Sequence, residues 1–232
     1  MTRYKVTVVV DGDTSASGSE RARLYGLKAA GDNHWQSKPL VWFATKEYAS
    51  RTRIEWNSQC WIYIAKARHD KEPLTSYSPH ELLYGEQFVA ESESGSGKKE
   101  TYGDVSHMAV VNDAGKDLRT GLAGQISVAD ISLEHAPYCE NPLTSHATTT
   151  LRAVEKILLT VSQSPDDAKI KKGTVVDSGL SPGVLIDASA SGEEKKVHFD
   201  ENTGSWSWPE GATWATAVKR GDNLTSRLIE KW

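Results

Sequence analysis

Three groups of side chains in this sequence combine residue types that chemistry needs. Asp104 and His107 stand before the apolar run that ends at Val111, and Asp113 stands after it. A carboxylate that orients an imidazole is the working part of a general base. Glu134, His135, Cys139 and His146 form the second group, in a stretch stiffened by Pro137 and Pro142. Imidazole nitrogen and thiolate sulfur are zinc ligands, and a thiol beside a histidine is a nucleophile with its base. The spacings H-x3-C and C-x6-H match no zinc pattern, so the expectation is an ordered loop without a metal.

The third group is aromatic. Tryptophan occurs 8 times, at positions 35, 42, 56, 61, 206, 208, 214 and 232. Trp42 lies in an apolar run, and Trp56 and Trp61 lie in strand-like segments, so these read as core. Trp206 and Trp208 share one face of Ser-Trp-Ser-Trp-Pro, Trp214 follows soon after, and Trp35 sits beside His34 in a polar turn. An indole on a loop either covers the core or stacks on a ligand. Trp35, Trp206, Trp208 and Trp214, with Tyr138, are therefore the expected wall of a ligand pocket.

Two loops imitate known motifs and then depart from them. Ser94-Gly95-Ser96-Gly97-Lys98-Lys99 has the composition of a phosphate loop, but Ser92 stands where the first glycine is needed and no Ser or Thr follows Lys98. Asp11-Gly12-Asp13-Thr14-Ser15 opens like a calcium loop, but Ala16 and Ala22 replace the required glycine and bidentate glutamate. No cofactor motif is present, and the chain is expected to work without one.

The elements that must position these groups read mostly as strands. Tyr4–Val10, Leu40–Phe43, Gln87–Ala90, His107–Val111, Gly124–Ile131, Val184–Asp187 and Lys196–Phe199 are rich in β-branched and aromatic residues or alternate with period two, and Val175–Val176 adds a short one. Arg53–Trp56 and Trp61–Ala65 predict a hairpin about the Asn57-Ser58 turn signal. Arg21–Ala30 is ambiguous, but Gly26 weakens a helix there by about 1 kcal/mol, which favours a strand. Thr148–Val161 has helical spacing and also suits a buried strand. Long loops are expected at 68–86, 91–104 and 134–147. Asp222 to Trp232 predicts a short closing helix with an Asp/Asn cap. Many short strands between turn signals predict one all-β domain over residues 1–232, sandwich or barrel-like, with a short C-terminal helix.

Composition narrows the function classes. The chain has 232 residues, enough to bury about 70% of its unfolded surface without staples. Lys and Arg number 27 against 31 Asp and Glu, a net charge of −4, so nucleic acid and anionic membrane are not expected partners. No window approaches the roughly 18 apolar residues of a membrane span. With 2 cysteines and an opening without a signal-peptide pattern, the expectation is a cytoplasmic protein with reduced thiols.

Two blocks carry a resemblance. Tyr4-Lys5-Val6-Thr7-Val8, the strand holding Leu27-Lys28-Ala29-Ala30, and Arg53-Ile54-Glu55-Trp56 form the first. Leu151-Arg152-Ala153-Val154-Glu155-Lys156-Ile157-Leu158-Leu159, then Gly183–Asp187 and Gly204-Ser205-Trp206, form the second. Together, over about half the chain, they resemble a family of small fungal β-rich proteins that have no signal peptide and no assigned activity. The resemblance implies an all-β cytosolic protein, makes the block from Leu151 a strand, and carries over no catalytic residue.

Three function classes follow. The first is a lectin-like binding protein whose aromatic-lined pocket takes a glycan or a small organic ligand, as a monomer or a homodimer. The second is a cofactor-free cyclase or isomerase acting on a hydrophobic metabolite, with His107, Asp104, His135 or Glu134 moving protons. The third is a pore-forming protein inserting Thr148–Val161.

Overall fold

The structure is a computed structural model describing residues 2–11, 23–33, 36–45, 49–69, 72–129, 131–162, 170–189 and 194–232. Trp35 and the calcium-like residues after Asp11 lie outside these.

Strands dominate, as the period of two predicts. In chain order they are β1 (Arg3–Asp11), β2 (Arg23–Asp32), β3 (Lys38–Pro39), β4 (Phe43–Ala44), β5 (Arg51–Lys66) and β6 (Ser78–Glu81). β7 (Glu86–Ala90), β8 (Gly97–Thr101), β9 (Met108–Asn112), β10 (Leu118–Val128), β11 (Ile131–Pro137) and β12 (Cys139–Leu143) follow. The chain then runs through β13 (Thr148–Ser162), β14 (Gly183–Asp187), β15 (Lys195–Asp200), β16 (Ser205–Ser207), β17 (Ala215–Val218), α1 (Leu224–Leu228) and β18 (Ile229–Glu230). The first sheet has the order β16-β15-β1-β5-β10-β12-β3, with β6 on β5 and β11 on β10. The second has the order β17-β14-β13-β9-β7-β8, with β2 joining β13 to the short strands β4 and β18.

The main core lies between the sheets. Val6, Val8, Ile54, Trp56 and Ile62 of the first sheet share it with Met108, Leu151, Ile157 and Leu159 of the second. The outer face of the second sheet is buried too: Tyr25, Leu27 and Leu158 lie beneath Val176, Val218 and the α1 residues Leu224 and Leu228. Each such leucine contributes about 1.5–3 kcal/mol by leaving water. That packing, with the Asn223 side chain capping the Ser226 N–H at 3.0 Å, holds a helix of 5 residues that is too short to form alone.

Burial on both faces explains why β2 and β13 look ambiguous in sequence: neither has a wet face, so neither alternates. β13 also carries a bulge between Ala153 and Ile157 that shifts the phase of its side chains and imitates helical spacing. It is a strand, paired with β2, β9 and β14. Gly26, out of place in a helix, is required here: a Cβ would lie 2.0 Å from the Phe43 ring.

Several expectations need correction. Arg53–Trp56 and Trp61–Ala65 are not hairpin arms but parts of one strand, β5. Asn57 and Ser58 are held straight by pairing with Arg3 and by the Ser58 N–H bond to the Thr2 carbonyl at 2.9 Å. On the β10 side the ladder skips from Cys60 to Trp56, so the extra residues are absorbed as a bulge within one strand and make no turn. Ile54, Trp56, Ile62 and Ile64 all face the main core, while in the second half Tyr63 and Ala65 bury the outer face as well. The loop expected at 68–86 contains β6, that at 91–104 contains β8, and that at 134–147 contains most of β11 and all of β12. Leu40–Phe43 is not one strand; its ends join β3, an isolated bridge to Val175, and β4.

Two charged clusters are largely buried. Lys28 Nζ lies 3.1 Å from Glu155 Oε2, and Trp56 Nε1 donates to the same oxygen at 2.9 Å. Glu140 accepts from Arg68 Nη2 and faces Arg119 Nε at 3.4 Å. Among the described residues no helix is long and apolar enough to cross a membrane.

Candidate functional site

At one edge of the second sheet, two turns are stitched together by backbone bonds. The Gly85 carbonyl accepts from the Tyr102 N–H at 2.7 Å, and the Gly85 N–H donates to the His107 carbonyl at 3.0 Å. The turns hold Leu83, Tyr84, Tyr102 and Val105 outward, with Val105 78% and Leu83 66% exposed. Trp232, after β18, joins them. Among the described residues, these are 5 of the 6 exposed large apolar side chains; the sixth, Ile131, opens β11 in the other sheet. Grouped apolar exposure of this kind marks a binding surface more often than scattered exposure does.

His107 sits at the base of this platform and is nearly buried. Its ring lies 5.4 Å from Tyr102 and 5.8 Å from Trp232. His107 Nδ1 is 3.0 Å from Ser106 Oγ and 3.6 Å from Asp104 Oδ2. Ser106 donates to Asp104 through its hydroxyl at 2.7 Å and its N–H at 2.9 Å. The Ser106 hydroxyl bond, then its N–H, holds the Asp104 carboxyl below its usual range, and His107 adds to this. The Ser106 hydroxyl thus links the Asp104 carboxylate to the His107 ring.

The Trp232 ring is seated by its neighbours. The Arg152 guanidinium lies 4.8 Å above it and pairs with Glu230 at 3.7 Å. Lys156 pairs with the same carboxylate at 2.5 Å. Beneath is Gly31, where a Cβ would lie 2.5 Å from the indole, so only glycine leaves room for it. Tyr84 turns inward at its hydroxyl, which accepts from the Ala153 N–H at 3.1 Å.

The other residues expected at a site fall elsewhere. His135, in the left-handed region at φ 48°, packs edge-on against Trp61 at 4.5 Å on the first sheet, with Glu134 exposed beside it. Neither meets His107. Asp113 pairs with His146 at 3.7 Å, not with His107. Cys139 is buried and its sulfur accepts from the Leu122 N–H at 3.2 Å. His135, Cys139 and His146 do not come together, and no group of three metal-ligating side chains occurs among the described residues. Tyr138, expected at a ligand, has no exposed surface; it is a core residue packed against Trp42 at 5.7 Å. Trp206, Trp208 and Trp214 are half-buried against the main core. Trp206 lies 5.1 Å from Phe199 and donates to the Pro182 carbonyl at 3.0 Å, and Lys195 covers Trp214 at 5.6 Å. Trp206 and Trp214 thus have partners in the chain, and all three rings cover part of the core.

A cleft of about 540 Å³ lies between the end of β5 and residues 72–78. Its Arg68 is engaged with Glu140, and its Glu93 pairs with Lys66 at 4.0 Å and Lys116 at 3.3 Å.

Both thiols are poor nucleophiles. Burial pushes Cys60 up to about 11 and Cys139 up to about 12. A raised folded-state value stabilises the fold fully below the ordinary thiol range, near 9, and the contribution is lost as pH rises toward 11–12. Each group then loses about 1.4 kcal/mol per pH unit. Urea titrations at pH 8 and pH 10 are expected to differ by roughly 2–3 kcal/mol, with no native-state alkylation at pH 7.5. An unchanged urea midpoint would contradict the burial of both thiols.

The platform residues were missed in sequence for a simple reason. Leu82-Leu83-Tyr84 is an apolar run inside a polar segment, which is a usable signal. Nothing local joins it to Tyr102, Arg152 or Trp232. Comparisons with protein-family models, with curated proteins and with solved structures found no match.

Proposed function

We propose that this chain is a binding protein that holds a small organic molecule or a glycan against the aromatic platform beside His107. The observation that supports it is the grouping of Tyr84, Tyr102, Val105 and Trp232 on one surface, exposed, with Asp104, Arg152 and Glu230 at hand. Ring faces stack on the apolar face of a sugar or on a flat organic molecule, and the charged neighbours offer hydrogen bonds to its edge. The wall is therefore aromatic, as the tryptophan content suggests, but is built from other residues.

The test is a glycan array and a panel of small aromatic compounds read by intrinsic fluorescence. Trp232→Ala is expected to weaken whatever binds by about tenfold or more, with an unchanged circular dichroism spectrum. A panel in which nothing binds, or in which Trp232→Ala changes nothing, defeats the reading.

The Asp104–Ser106–His107 chain favours a second reading, proton transfer by His107 on a ligand held at the same platform. His107→Gln separates the two. Because the ring also supports Tyr102 and Trp232, turnover is compared at saturating compound: it disappears only if the imidazole moves a proton.

A further inference from the structure

The centre of the molecule holds polar chemistry that the surface platform does not use. Lys28 lies between the sheets with its ammonium 3.1 Å from Glu155. It also sits 5.5 Å from the centre of the Trp42 ring and 5.2 Å from that of Tyr138. Trp42 and Tyr138 are both 0% exposed, and among the described residues neither Trp42 Nε1 nor Tyr138 Oη has a hydrogen-bond partner. An unpartnered buried donor is uncommon, since each carries the full penalty of lost hydration. Two of them beside one lysine call for an explanation.

The charges there already balance, one ammonium against one carboxylate, and Trp56 completes the Glu155 oxygen at 2.9 Å. What is left over is donors. A neutral acceptor oxygen satisfies them. A carboxylate would bring a third charge into a neutral interior and lose its own hydration.

Tyr84 connects this interior to the platform. Its ring is 45% exposed outside. Its hydroxyl ends at Ala153, where the β13 bulge begins, two residues before Glu155. Burial, then the nearby Cys60 thiol, raises that hydroxyl's pKa, and Glu155 adds to the rise. Tyr84 therefore spans from solvent to the edge of the charged core.

We propose that the core is the deep end of the platform site: a ligand stacked on the platform displaces Tyr84 and offers a carbonyl oxygen to Trp42 Nε1–H and Tyr138 Oη–H. This rests on the binding reading given above. It names the ligand class as a flat, neutral molecule bearing a carbonyl group.

Three probes of equal shape test it: acetophenone, α-methylstyrene (a methylene in place of the oxygen) and benzoate. Fluorescence titration is expected to give acetophenone an affinity about tenfold above either of the others. Tyr138→Phe should erase most of that preference while leaving α-methylstyrene unchanged. It removes only an unpartnered hydroxyl, so the variant should melt no lower than the parent. Trp232→Ala should weaken both neutral probes by the same factor. Equal affinity for acetophenone and α-methylstyrene, or a preference that survives Tyr138→Phe, overturns the deep site. If the probes then still depend on Trp232, the platform reading stands without it. Binding by none of the three also overturns the deep site, and the glycan and aromatic panel decides the platform separately.

Discussion

Lys28→Met is expected to destabilise this protein by about 3–5 kcal/mol. The lysine side chain is 2% exposed and Glu155 13%, so removing the ammonium leaves a carboxylate between two sheets with, among the described residues, the Trp56 N–H to stabilise it. Methionine keeps the length and most of the apolar contact with Trp42 and Tyr138, so the loss reports the charge and not a cavity. For a chain of this size the melting temperature should fall by about 6–20 °C. The companion variant, Lys28→Met with Glu155→Leu, removes both charges and should recover most of the loss. If the double variant is no better than the single one, the pair is not acting as a charge pair. If the single variant melts with the parent, Glu155 has found solvent and the core is more open than its burial indicates.

The second large effect is expected from Glu140→Ala. Glu140 is 2% exposed and pairs with Arg68 and Arg119, themselves 11% and 17% exposed. Its loss leaves two guanidinium groups in a poorly hydrated place, again about 3–5 kcal/mol. Arg68 also reaches the carbonyls of His69 at 3.2 Å and Gly173 at 3.5 Å, and the Leu74 N–H donates to that Gly173 carbonyl at 2.9 Å. The damage should therefore spread along these segments before it reaches the sheets. Hydrogen exchange is the measurement: the Leu74 and Gly173 amides should exchange much faster in Glu140→Ala, while β13 amides such as Leu158 change only with global stability. Uniform acceleration everywhere would mean that the cluster supports the whole fold and not this cover.

Neither charge cluster is legible in the sequence. Lys28 lies in a segment of ambiguous period, and apolar spacing is the strongest signal around Glu155. Glu140 lies next to Cys139, between His135 and His146. A charged residue in sequence is assumed to be wet, and that assumption fails where a strand has covered faces on both sides. The Asp104 and His107 pairing was legible because the two are close in the chain. The pairing of His107 with Trp232 was not, because 125 positions separate them.

What the sequence determined by itself is local. The period of two in Tyr4–Val10, Gln87–Ala90 and Lys196–Phe199, the turn residues between strands and the Asn223 cap each depend on a few neighbours. They are enough to make the chain all-β with one short helix. What only the tertiary structure decided is which faces are covered and which side chains meet. Asn57-Ser58 looks like a turn until β1 and the Thr2 carbonyl hold it straight. Trp206 and Trp214 look like a ligand wall until neighbouring residues cover part of them, while Tyr84, Tyr102 and Trp232 reach one surface only when β18 lies beside β2. The bond from Trp56 to Glu155 spans 99 positions. No local rule carries over that distance, because such a contact gains free energy only after the two sheets have closed and excluded water from both partners.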